Sequence, residues 1–355
     1  MPSLRNIALT LLRWLVGGVF IFSGFVKAVD PVGTSVFVEK YLATYSLEVL
    51  LPLALPIAVV LAVVEFALGA SLVMRARYRL TLLLTTLFIS IFTVITLLSA
   101  TLLPIGDCGC FGDAVTLSPW ATFAKNVALL VAVALLWRAD KVDATASRGE
   151  WMVVAIALAL GLAINIYALR HQPIIDFLPY KVGVDLRGDV MAEREAVSSA
   201  ERSVLICRNQ TTGELREFDS SSEEWWNGWD VVDTRLESLP DEELHFADFT
   251  IFDSMGEECS EHLLMREGRV AWLCVRDRES LNARAMRSID RLRELYPTEA
   301  IVVLTADDCV ALSDILDMEC YSLDAMTLRS MMRSEVGVII LESGIIRDKR
   351  NHRDI

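Results

Sequence analysis

The second half of this chain has no apolar run long enough to cross a bilayer. After Leu169, charged residues break up every hydrophobic stretch. That half is also poor in positive charge. Of the chain's 33 Lys and Arg, 11 precede Arg170 and 22 follow Leu169; of its 47 Asp and Glu, 9 precede and 38 follow. The first half is therefore near neutral and the second strongly acidic. Such a surface repels a phosphate backbone, which argues against nucleic acid as a partner. The acidity is sufficiently explained by solubility in water. Regular cysteine spacing is missing as well. Of seven cysteines, Cys108 and Cys110 lie together, while Cys207, Cys259, Cys274, Cys309 and Cys320 are scattered. This is the pattern of neither a disulfide framework nor a zinc domain. The four histidines (His171, His245, His262, His352) are dispersed, and the nearest to the Cys108 pair is His171, so no metal is expected there.

Long apolar runs fill the first half. Five of them approach the length of about 20 residues that a spanning helix needs: 7–29, 49–74, 80–103, 120–137 and 152–169. Trp14, Tyr78, Trp120, Trp137, Trp151 and Tyr167 fall near their ends, as interfacial anchors do. The first run exceeds a signal-peptide core and no A-x-A-like site follows it, so it reads as a membrane span. Arg5, Arg13, Arg75, Arg77, Arg79, Arg138, Lys141 and Arg148 gather at one set of loops, whereas Asp30, Glu39, Glu48, Asp107 and Asp113 mark the other. The positive-inside rule then predicts a cytoplasmic amino terminus. With five crossings, the acidic half is expected on the far side, together with the Cys108 loop. In a bacterial inner membrane that side is the oxidising periplasm.

The third run ends in Pro104-Ile-Gly-Asp-Cys-Gly-Cys-Phe-Gly-Asp113. Glycines let this backbone turn tightly. A disulfide between cysteines one residue apart closes a strained ring and is easily reduced, which suits a redox carrier. The plainer reading is a turn with two thiols, or a fixed disulfide, and both readings stand. Glu65 lies midway along the second run, where a carboxyl is costly unless protonated, paired or facing a polar cavity. Lys27, near the end of the first run, is its natural partner, provided the long side chain reaches inward. A structural ion pair or a hydrogen-bonded glutamic acid would account for these residues, and so would proton handling beside the thiols or a quinone contact. A transporter reading has less behind it, since the membrane half shows no internal repeat.

Phe20-Ile-Phe-Ser-Gly-Phe-Val-Lys27-Ala-Val-Asp-Pro31, Glu65 in the second run and Cys108-Gly-Cys110-Phe-Gly together resemble the DoxX-like membrane proteins. More specifically they are similar to the MauE branch, from methylamine utilisation, over roughly residues 5–140. The resemblance implies a four-helix bundle concerned with disulfides in exported proteins. It implies that Cys108 and Cys110 are the redox pair and that Lys27 and Glu65 are its polar membrane residues. The fifth run exceeds that core and is expected to tether the soluble half.

Beyond Pro173 and Pro179 the texture reads as β-rich, with strands expected at 202–207 and 229–232 and a packing role for Trp225 and Trp226. From 245 the pattern is clearer. A strand and turn at 248–256, a short helix at 259–266 and a buried strand at 269–275 are followed by a helix at 282–296 and a strand at 301–304. Helices at 307–316 and 325–333 and a hairpin about Ser343-Gly344 complete an α/β order. The segments Ala247-Asp-Phe-Thr-Ile-Phe-Asp253 and Gly337-Val-Ile-Ile-Leu-Glu-Ser-Gly-Ile345 resemble the thioredoxin-like fold. Two departures matter: Arg276-Asp277-Arg278 stands where such proteins carry Cys-x-x-Cys, and no proline precedes the final hairpin. A redox-inactive docking domain is the expectation. Cys274 reads as core packing, and Cys309 and Cys320 are close enough in sequence either to pair or to stay apart.

The expected architecture is therefore an α-helical transmembrane bundle at 1–140, a fifth helix and linker at 141–172, a β-rich connector at 173–244 and an α/β thioredoxin-like domain at 245–355. The expected function is a membrane thiol–disulfide redox component acting through Cys108 and Cys110, with an exported client or partner thiol oxidoreductase and a membrane quinone as a possible electron acceptor. The alternative is a non-enzymatic membrane scaffold that presents the soluble domain.

Overall fold

A computed structural model describes residues 4–102, 109–115, 117–139, 148–200, 203–219, 228–236, 244–246, 248–297 and 300–355. The chain forms two compact units, one ending at Leu178 and the other starting at Pro179.

The first unit is helical. Helices α1 (Leu4–Val29), α3 (Ala54–Met74), α4 (Tyr78–Thr101), α5 (Pro119–Ala139) and α6 (Arg148–Arg170) are each long and apolar enough to span a bilayer, α3 together with the 3₁₀ turn Glu48–Leu53 before it. Leu11, Leu15, Leu83, Leu87, Ile91 and Val94 are exposed on their outer faces. In water so large an apolar surface would drive aggregation; in a bilayer it is the side that meets lipid. The protein is thus a membrane protein, with five helices where the sequence predicts five.

Small residues set the inner packing. Ala54, Ala58, Ala62, Glu65, Gly69 and Leu72 form a buried stripe on α3 at helical spacing, and α1 lies against it. Gly24 marks the close approach, because a Cβ there would lie 2.4 Å from the Phe66 nitrogen. Helix α2 (Pro31–Thr44) follows α1 almost without a break. Asp30 accepts from the Gly33 N–H at 2.8 Å and Pro31 occupies the first turn, where its missing N–H costs nothing.

The second unit opens with α7 (Leu186–Ala200), a helix within a stretch whose composition reads as β-rich. Next comes a three-stranded antiparallel sheet of β1 (Ser203–Asn209), β2 (Leu215–Asp219) and β3 (Trp229–Leu236), in the order β2-β1-β3. Trp225 and Trp226 lie outside the described residues. The larger sheet comprises β4 (Ile251–Phe252), β5 (Arg269–Val275), β6 (Ile301–Thr305), β7 (Glu319–Leu323), β8 (Val336–Glu342) and β9 (Ile345–Asn351), in the order β4-β7-β6-β5-β8-β9. Strands β5, β6 and β7 run parallel, and β4, β8 and β9 pair antiparallel to their neighbours.

Strand β5 explains the layering. Its continuous apolar run buries both faces, as a central parallel strand requires. Val270, Trp272 and Cys274 share one core with Leu186 and Val190 of α7, Leu263 and Leu264 of α8 (Ser260–Leu264), and Leu328 and Met331 of α11 (Ala325–Met331). Ala271, Leu273 and Val275 point the other way, to α9 (Ala283–Leu295) and α10 (Cys309–Leu316). The result is a sheet covered by helices on both sides.

His352 follows β9 and is buried, with its Nδ1 3.1 Å from the Val336 carbonyl, to which the ring N–H donates. Burial holds its pKa below the usual histidine value, helped by Arg353 and Arg284; the Val336 carbonyl and Glu335 oppose this. The unfolded chain therefore binds the proton more readily, so this stability is present above about pH 6.5 and fades as pH falls through the folded value. His352→Asn keeps a donor near Nδ1 and removes the titration. Urea unfolding between about pH 7.5 and pH 5 is expected to show a smaller loss of stability in this variant. An unchanged pH dependence would assign the effect to other groups.

Candidate functional site

Ser23 and Lys27 stand four residues apart on α1 and so share one face. Glu65 faces them from α3 because it continues that helix's stripe of small residues. Helical side chains lean toward the amino terminus, which points Lys27 back into the bundle and not out of it. Its Nζ lies 2.7 Å from Ser23 Oγ, 2.8 Å from Glu65 Oε2 and 2.5 Å from the Cys110 carbonyl oxygen. An ammonium has three protons to donate, and here each has an acceptor. Ser23 Oγ is in turn 2.6 Å from Glu65 Oε2 and 2.7 Å from the Cys110 carbonyl. Lys27 and Glu65 are each only 4% exposed. Two opposite charges in so dry a place hold each other, since either one alone would be costly.

The site ties the cysteine motif to the helix pair. Gly109 has φ +60°, and a Cβ there would lie 2.5 Å from the Phe37 ring of α2, so glycine is what fits between the cysteines. The Phe111 ring packs 5.5 Å from that of Phe22 and carries Lys125 Nζ at 4.3 Å above its face. A cavity of about 40 Å³ adjoins Ser23, Glu65, Phe88, Cys110 and Asn126. Phe20, Ile89, Phe92 and Leu129 supply much of the rest of its wall, so the lining is mostly apolar.

Of the four residues singled out in the sequence, the structure brings Lys27, Glu65 and the backbone of Cys110 together. Cys108 lies outside the described residues. Ser23 has no role assigned from sequence, although its spacing of four from Lys27 was a usable signal. Asn126 and Thr96 pair inside the bundle, with Asn126 Nδ2 3.4 Å from Thr96 Oγ1, and no local pattern marks them.

In the second unit burial pushes the cysteine thiols up. Burial pushes the Cys274 thiol up to about 12 and the Cys259 thiol up to about 11, the latter with help from Asp253 and Glu258. Cys309 and Cys320 are both buried, and their thiols hydrogen-bond each other. The loop after β5 is charged: Arg278 Nε lies 3.0 Å from Asp307 Oδ2, which holds the Asp307 carboxyl well below the usual range.

No curated protein and no solved structure matches the chain. Residues 5–139, which carry Lys27, Glu65 and the cysteine motif on four of the membrane helices, match the model of the family described as methylamine utilisation protein MauE.

Proposed function

We propose that this is a membrane thiol–disulfide redox component in which Cys108 and Cys110 exchange a disulfide with an exported client or a partner thiol oxidoreductase. The observation that carries this reading is the grip of buried Lys27 and Ser23 on the Cys110 carbonyl. A loop anchored so firmly on an ion pair holds its cysteine in a defined place, as an exchange site needs. Lys27 and Glu65 act as positioning residues. The exchange balances without an outside oxidant. A thiolate of the partner attacks the Cys108–Cys110 disulfide, a mixed disulfide forms, and the partner's second thiolate resolves it. The partner leaves oxidised, and the pair leaves as a dithiol holding the two protons. In this step the partner dithiol is the source of the two electrons and the Cys108–Cys110 disulfide is their sink.

The second unit fits a redox-inactive docking module of thioredoxin-like type. Its parallel β5-α9-β6 unit beside the antiparallel β8-β9 hairpin supports that topology. In place of paired thiols after β5 it has Arg276, Asp277 and Arg278. Placement of this module in the bacterial periplasm, with the amino terminus cytoplasmic, rests on the charge asymmetry of the loops. Cys259 is expected to react with maleimide at pH 7 roughly a hundredfold more slowly than an ordinary exposed thiol, because its thiolate is that much scarcer. Rapid labelling would make this domain a thiol participant.

The test of the main proposal is differential alkylation of Cys108 and Cys110 in native membranes, before and after a mild dithiol reductant. A pair that interconverts, and a Cys110→Ser variant that traps a partner through Cys108, are the expected results. A pair fixed in one state that traps nothing would leave a non-enzymatic scaffold.

A further inference from the structure

At the opposite end of α1 from Lys27 lies a second polar feature that the thiol proposal does not use. A cleft of about 400 Å³ is lined by Arg5, Thr10 and Arg13 of α1, Arg75 at the end of α3, and Tyr78 at the start of α4. Arg13 stands nine residues beyond Leu4 on α1 and shares this cleft with Arg75 and Tyr78 at the turn between α3 and α4. Its Nε is buried and has no hydrogen-bond partner. Arg75 lies with its guanidinium 5.1 Å above the Tyr78 ring and has a left-handed backbone, φ 56°, which disfavours a side chain of its kind. Among the described residues no carboxylate lines the cleft. Three arginines thus converge on one concave space, and their mutual repulsion calls for an anion between them.

We propose that this cleft binds a phosphoryl group. Guanidinium forks match phosphate oxygens in pairs. The membrane itself offers phosphate at this depth, as the headgroup of an anionic lipid whose acyl chains would lie along the exposed apolar faces of α1 and α4. The same oxygens on a free phosphate from the aqueous side would satisfy the same donors. The inference is independent of the cysteine chemistry.

Native mass spectrometry of the full chain in detergent tests it, with phosphatidylglycerol, diacylglycerol of the same chains and inorganic phosphate as probes. Phosphatidylglycerol is expected to be retained over diacylglycerol, and Arg13→Gln to weaken that retention about fivefold. Retention that millimolar inorganic phosphate leaves intact assigns the site to lipid; displacement or a phosphate adduct assigns it to the soluble anion. Equal retention of the two lipids with no phosphate adduct would overturn the proposal, and this comparison needs no variant. Should Arg13→Gln fail to fold, the Arg5→Gln/Arg75→Gln double variant at the cleft takes its place, and undiminished retention there would overturn the proposal too.

Discussion

Replacing Lys27 with methionine is expected to destabilise the helical unit by about 3–5 kcal/mol, and so is replacing Glu65 with leucine, whereas making both changes together should cost far less. The reason is the dryness of the pair, 2.8 Å apart and almost wholly buried. A lone charge left there has lost its partner in a low-dielectric site, although after Glu65→Leu the Ser23 hydroxyl and the Cys110 carbonyl still accept from the orphaned ammonium. The double variant leaves no charge behind, and it keeps Ser23, whose Oγ lies 2.7 Å from the Cys110 carbonyl in the native chain. Thermal unfolding in detergent should then give a coupling energy of about 2 kcal/mol or more. Losses that simply add would show that the pair holds nothing together. Lys27→Met should also free the loop, so faster alkylation of Cys110 is the expected companion result.

That pair was legible in the sequence because burying a charge in a membrane has few solutions. What the sequence left open was depth, since Lys27 stands near the end of α1 and Glu65 midway along α3. The structure resolves this in two ways. The lean of helical side chains carries Nζ inward toward Ser23, and the Cys110 carbonyl meets it there. Neither effect leaves a mark in hydropathy. Helix α2 was missed for a different reason. Residues 31–44 contain no long apolar run, so they read as a loop, although the Asp30-Pro31 start signal was present. Helix α7 hid in a charged stretch, where its start rests on Asp185 accepting from the Gly188 N–H at 3.0 Å. Strand β7 has Glu319 and Ser322 among its five residues and so shows no unbroken apolar run. In contrast, β5, β6 and β8 were readable because buried parallel and central strands are written as unbroken apolar runs. The proximity of Cys309 and Cys320 was not readable, because it depends on α10 returning to the sheet edge.

The second large effect is expected in the other unit. Trp272→Ala should remove about 3–5 kcal/mol of its stability, the usual cost of emptying an aromatic site in a closed core. Trp272 is 0% exposed at the middle of β5, and its ring stacks with that of Phe249 at 6.4 Å. Helices α7, α8 and α11 all contribute to the core around it, so the void has walls on every side and cannot collapse without moving a helix. The indole Nε1 is buried without a hydrogen-bond partner, and that tempers the case for tryptophan in particular. Trp272→Phe keeps most of the ring and removes the unmet donor, so its loss should be much smaller than that of the alanine variant. Hydrogen exchange on the full chain can separate the outcomes. Protection should fall across β5, β6 and β8 in Trp272→Ala, while α1 and α3 keep theirs. Equal loss in both units would show that their stabilities are coupled through the chain. Were the soluble unit a docking module as proposed, Trp272→Ala would also cost client capture while the Cys108 and Cys110 pair still interconverts with reductant. That dissociation of capture from redox state separates a presented client from a merely anchored domain.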